Sequence, residues 1–128
     1  MNLQVDVELE EDFLLAIVSG TASFDTALRT WKQVVDAAAM HQVSQILVDT
    51  LRVEGVFTTT ELYRLAVEAV GHAERQKINL TIAIVGTPPT SDGFCVRVAQ
   101  NRGLITELFP TRQGALRWLE AMRKIALR

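Results

Sequence analysis

The chain predicts an α/β fold: a single mixed, largely parallel five-stranded sheet with helices covering it, in the order β-β-α-β-α-β-α-β-α. Two observations carry that expectation. Leu3, Val5, Val7 and Leu9 alternate with polar residues, the period of a half-buried strand, and the apolar run Phe13 to Val18 follows after only a few acidic residues. So short a connection makes an antiparallel hairpin, with the first strand at the sheet edge. Beyond it, short aliphatic runs alternate with segments of helical periodicity, and right-handed crossovers build such units into parallel strands covered by helices. No repeat, low-complexity segment or linker interrupts the 128 residues, so a single domain over 1–128 is expected.

The elements follow in order. Gly20 ends the second strand, and Ser23 suits the N-cap of a helix starting near Phe24, with Asp25 in its first turn. Phe24, Leu28, Trp31, Val35 and Ala38 would form its buried stripe, and the helix ends near His41. Ile46 to Val48 is a short aliphatic strand of the kind found at a sheet centre. Thr58 and Glu61 match a capping box, and Phe57 with Leu62 matches a hydrophobic staple, so a second helix starts there and buries Leu62, Leu65, Ala66, Ala69, Val70 and Ala73 before ending near Gln76. Leu80 to Val85 is a fourth strand and Gly86 to Gly93 a loop. Phe94 to Gln100 is a short helix closed near Gly103, and Leu104 to Phe109 a fifth strand stopped by Pro110. Thr111 caps a last helix burying Ala115, Leu119, Met122 and Ile125 or Ala126, with Arg123, Lys124 and Arg128 at its cation-favouring end.

Composition narrows the function classes. Apolar residues make up 48% and charged residues 22%, an ordinary globular balance, and a formal charge of −2 does not point to nucleic acid or a membrane surface. The longest clean apolar run, Phe13 to Val18, is far too short to cross a bilayer, and MNLQVDVELEED lacks the organisation of a signal peptide. A lone cysteine, Cys95, rules out an internal disulfide and fits a reducing compartment, so a cytoplasmic location is expected. His41 and His72 have no ligand-spaced partner, and no metal or cofactor is expected. Nor does the chain contain a nucleophile elbow, a Walker loop or a dinucleotide fingerprint.

In open parallel sheets, ligands sit beyond the carboxyl ends of the strands. Asp49 to Thr60, Gly86 to Gly93 and Pro110 to Arg112 should gather at that rim, where Asp49, Arg52, Thr87 and Ser91 are candidate ligand contacts. The plainer reading has Asp49 satisfying loop N–H groups and pairing with Arg52. The threonine run carries a second candidate: a phosphate on Thr58, Thr59 or Thr60 would sit at the positive end of a helix while repelling an acidic partner. Against it, Thr58 has a sufficient role as the cap. Cys95 near a helix start is either a reactive thiol or, beside Phe94, Val96 and Val98, a small buried hydrophobe.

The order of elements, with ILVDTLRVEG, IAIVGTP and VAQNRGLITELFPTRQGALRWL, resembles the STAS domain, the fold of bacterial anti-sigma factor antagonists, most closely its SpoIIAA-like branch. That branch is related in fold to lipid-binding CRAL-TRIO (Sec14-like) domains. In the antagonists a hydroxyl in the loop before the second helix is phosphorylated by a partner kinase; Phe57 to Thr60 occupy that place, without the aspartate and glycine of the usual motif. The resemblance implies a non-catalytic regulatory domain that presents its second helix and the preceding loop to a protein partner. Val56, Phe57, Thr59, Thr60 and Tyr63 would form the contact surface, and Thr58, followed by Thr59, would be the regulatory hydroxyl. The alternative is a module for a small apolar or lipid-like ligand, which requires an apolar pocket under the second and third helices. An enzyme, with groups converging on Asp49, Arg52 and the Gly86 loop, ranks third. Exposed edges and amphipathic helices also suit a homodimer.

Overall fold

The computed structural model describes residues 3–88 and 92–126. Five strands, β1 (Leu3–Leu9), β2 (Leu14–Thr21), β3 (Gln45–Glu54), β4 (Thr81–Val85) and β5 (Ile105–Phe109), form one sheet in sequence order. β1 is antiparallel to β2 and every other pairing is parallel. Four helices, α1 (Phe24–Met40), α2 (Thr59–Arg75), α3 (Phe94–Asn101) and α4 (Arg112–Ala126), complete the expected β-β-α-β-α-β-α-β-α order.

The pleat sorts side chains between two layers. Leu15, Leu47, Ala83 and Val85 face α4 and pack with Ala115 and Leu119. Leu14, Ala16, Val18, Ile46, Val48 and Ile82 face the other way, toward Val34, Val35 and Ala38 of α1 and Ala73 of α2. α2 rests mainly on α1 and α3 rather than directly on strands. Its sheet-facing residues Ala66, Ala69 and Ala73 are small and buried. Trp31 Nε1 donates to the Ala69 carbonyl at 3.1 Å, joining α1 to α2.

Local corrections have physical causes. β3 runs from Gln45 to Glu54, well past the expected Ile46 to Val48, because its second half pairs with the outer end of β2 beyond the point where β4 stops. Polar Thr50, Arg52 and Glu54 hide that half from an apolar-run search, and a register shift between Ile17 and Ser19 breaks its alternation. β2 likewise continues through Gly20 to Thr21. In α1, Thr30 and Val34 are buried with Val35 and Ala38, whereas Phe24, Leu28 and Trp31 are only partly covered. Ser23 does cap that helix, and the reciprocal partner is Thr26. In α4, Ala115 and Leu119 are buried, but Ile125 and Ala126 are exposed. Arg123 turns from the helix end to Gln45 Oε1 at 2.8 Å; Arg128 lies outside the described residues.

Gly55 follows β3 at φ +148°, where an added Cβ would stand 2.7 Å from the Ala22 carbonyl oxygen. That carbonyl belongs to the turn in which the Ala22 N–H donates to Glu54 O at 2.8 Å, so the contact has little room to relax. Gly103, at φ +95°, has open space around the same position. Gly55→Ala is therefore expected to cost about 2–4 kcal/mol, combining backbone strain with overpacking, and Gly103→Ala about 1 kcal/mol from strain alone. Urea unfolding of the two variants measures the difference.

Candidate functional site

Three groups of residues collect around the carboxyl ends of the parallel strands. The first is polar. Asp49, on the α4 side of β3, is 6% exposed, and its Oδ2 accepts from Arg112 Nε at 2.6 Å while its Oδ1 accepts the Leu51 N–H at 3.0 Å. Both carboxylate oxygens thus have donors, as a buried charge requires. The pairing is with Arg112 at the start of α4, and not with Arg52, which is exposed. Thr87 is exposed in the loop after β4, and Ser91 lies outside the described residues. Sequence spacing suggested Arg52 because it is near in the chain; the 63-residue separation of Asp49 and Arg112 is visible only once the sheet is assembled.

The second group is the amino-terminal end of α2. Glu61 N–H donates to Thr58 Oγ1 at 3.1 Å, and Thr58 N–H donates to Glu61 Oε1 at 2.9 Å, closing the capping box. Thr59 and Thr60 are exposed in the first turn, Val56 just before it is 87% exposed, and Tyr63 one turn on is 46% exposed. Thr59 and Tyr63 are four residues apart and share a helix face. Arg102 Nη2 donates to Tyr63 Oη at 2.9 Å, with the guanidinium carbon 5.7 Å from the ring centroid, and Arg64 lies 4.6 Å over the Phe24 ring. Phe57 differs from these neighbours, being half-buried and turned beneath the helix.

It turns toward the third group, a cavity of about 190 Å³ between the sheet and the amino-terminal parts of α1 and α2, walled on the β5 side by Cys95, Val96 and Ala99 of α3. Val48, Ile84 and Leu108 contribute from the strands, Trp31 from α1, and Leu65 and Ala66 from α2. The carboxyl-terminal parts of the same helices are in the close-packed core, with Val35, Ala38 and Ala73 against Leu14, Ile46 and Ile82. The cavity thus lies toward the rim and the solid core toward the opposite end of the strands. Thr106 of β5 also lines it, is 4% exposed, and has a buried Oγ1 with no hydrogen-bond partner among the described residues. Sequence reading missed Thr106; the available signal was a threonine in register with Ile82 on the covered face of a strand.

His72 Nε2 lies 2.6 Å from Asp36 Oδ1, which also accepts from Gln76 Nε2 at 2.9 Å, so this histidine ties α2 to α1; His41 is the exposed C-cap of α1. No cluster of three metal-ligating side chains occurs among the described residues, and no described helix is long and apolar enough to cross a membrane. Cys95, the candidate thiol, has its pKa pushed up from 9.0 to about 11 by burial and, less strongly, by the charge of Asp92. It is therefore a neutral hydrophobe at physiological pH, and the helix start does not activate it. At pH 8 its thiolate fraction should be about a hundredfold below that of a thiol with the ordinary value. Iodoacetamide labelling of the folded protein is expected to be slower than labelling of the urea-unfolded chain by about that factor; comparable rates would contradict the burial.

No protein-family model matches the sequence, and no curated protein matches it. The architecture does match solved structures. An anti-sigma factor antagonist from Mycobacterium paratuberculosis superposes with a TM-score of 0.63 at 17% identity, over 93% of this chain and 95% of that one. An uncharacterised protein with a SpoIIAA-like fold from Shewanella loihica gives 0.56 at 16% identity, over 92% and 93% of the two chains. The anti-sigma factor antagonist SpoIIAA in its unphosphorylated form gives 0.53 at 12% identity, over 91% and 98%. With one mixed five-stranded sheet and four helices in the same order, this chain has the SpoIIAA-like (STAS) fold.

Proposed function

We propose that this protein is a non-catalytic regulatory domain that binds a protein partner through the amino-terminal end of α2 and the loop before it. The observation that carries this reading is the exposure of Tyr63 one turn into a helix whose start is fixed by its capping box, with Val56 exposed just before it. A pre-ordered surface loses less conformational entropy on binding than a mobile one. Tyr63 with Arg102 supplies the aromatic and guanidinium pairing that is common at the energetic centre of interfaces, and Val56 adds apolar area beside it. The fold shared with anti-sigma factor antagonists supports a regulatory role of this type.

Control by phosphorylation belongs to the same reading. A partner kinase would transfer the terminal phosphoryl group of ATP to a threonine oxygen, displacing the hydroxyl proton and leaving ADP. On Thr58 the new charge would lie beside Glu61 and compete with the cap, whereas the exposed side chains of Thr59 and Thr60 are outside that exchange. Thr58 remains a candidate on its place in the chain, and Thr59 is the modification that leaves α2 best intact.

Amide shift mapping with a captured partner is expected to perturb Val56 to Tyr63. Tyr63→Ala should weaken that complex about tenfold, the scale of one interfacial anchor. Thr58→Ala should lower stability by about 1 kcal/mol through loss of the cap. A complex that perturbs only α4, and is indifferent to Tyr63→Ala, would overturn the assignment.

A further inference from the structure

We propose that the cavity between the sheet and the amino-terminal parts of α1 and α2 binds a small, neutral, largely apolar molecule with one hydrogen-bonding group, held at that group by Thr106 Oγ1. The inference goes beyond the partner surface and stands without it, because it rests on the inner side of α2 and on β5.

The lining selects the chemistry. Val48, Ile84, Leu65 and Leu108 offer an ion nothing in exchange for its hydration, so a charged ligand is disfavoured. Asp92 is the one charged residue of the lining; it is exposed at the edge, and its Oδ1 accepts the Phe94 N–H at 3.0 Å. Two other polar groups are committed, Thr50 Oγ1 donating to Val85 O at 2.7 Å and Trp31 Nε1 donating to Ala69 O at 3.1 Å, and Thr30 of α1 adds a second threonine to the lining.

Thr106 is different. Its backbone carbonyl accepts from Gln100 Nε2 at 2.7 Å, but its hydroxyl is buried and unpartnered among the described residues. Such groups are rare in native proteins because desolvation goes uncompensated. Valine has the same branched shape, suits a strand, and would carry no such penalty. Thr106 is in register with Ile82, on the face that floors the cavity, and a staggered rotation about χ1 can bring the hydroxyl to the place now held by the methyl. A ligand acceptor or hydroxyl in the cavity would give the threonine the partner that the protein does not.

Size narrows the class further. An apolar cavity of about 150 Å³ takes a benzene molecule. The 190 Å³ present here holds a single ring with a short substituent, or an aliphatic group of similar bulk, and its open side leaves room for a longer molecule to extend outward.

The test uses two probes of matched shape, benzyl alcohol and ethylbenzene, titrated into the protein and followed by its methyl resonances. Both are expected to shift Ile84, Val48 and Leu65 while leaving Leu47 and Leu119, on the other side of the sheet, unmoved. Thr106→Val should raise the ligand-free Tm by a few degrees, weaken benzyl alcohol about three- to tenfold, and leave ethylbenzene within about twofold. Thr106→Ser keeps the hydroxyl and should hold the preference between probes near the wild-type ratio. Ala66→Leu, which fills the cavity, should weaken both probes. The proposal is overturned if neither probe shifts the cavity methyls up to its solubility limit, or if Thr106→Val affects the two probes equally or lowers Tm.

Discussion

The hydrogen bond from Trp31 Nε1 to the carbonyl of Ala69 sets how α2 sits over the sheet. A carbonyl has two lone pairs, so a mid-helix acceptor can take an indole donor without giving up its place in the helical ladder. The large ring of Trp31 beside the small Ala66 and Ala69 holds the two helices together at the level of the cavity. One turn farther on, Ala73 joins the solid core, and on the other flank α2 meets α3 through Ala66, Val70 and Ala99. The helix is supported at its carboxyl end and along both sides. Its amino-terminal part therefore spans open volume.

This arrangement gives one segment two faces with different chemistry. Phe57 and Leu62, the pair expected as a hydrophobic staple, line the cavity, while Val56, Thr59 and Tyr63 are exposed outside. The capping box makes the amino-terminal turn a fixed object rather than a fraying end. A partner on the outer face and a small molecule beneath it would touch the two sides of the same turn.

On the far side of the sheet, polar groups act structurally. Asp49 and Arg112 join β3 to the start of α4, and Gln45 receives Arg123 at its oxygen and gives its amide to Leu119 O at 2.8 Å. In each pair the group on β3 is buried and the arginine on α4 is partly exposed, so loss of the arginine would leave a buried polar group short of a donor. α4 is thereby positioned at both ends, and the rim carboxylate that looked available for a ligand is occupied.

Much of the fold was legible because the local signals agreed. The Leu3 to Leu9 strand, the Ser23 cap and the Thr58 to Glu61 box stand where the pattern put them, although only Leu3 and Val5 of that strand are partly covered and Val7 and Leu9 are exposed. The outer half of β3 was hidden because its residues are polar and its alternation shifts by one at the bulge. Arg112 as the partner of Asp49 and Thr106 as an unpartnered hydroxyl were illegible for another reason: both depend on which residues meet across the sheet, which local periodicity does not encode. The central claim is that α2 bridges real internal space, and a crystal structure under xenon pressure tests it directly, since xenon enters apolar cavities. A xenon site bounded by Ile84, Leu65 and Trp31 is expected. Helices α1 and α2 settled onto the sheet, with no xenon between them and Ile84, would contradict it.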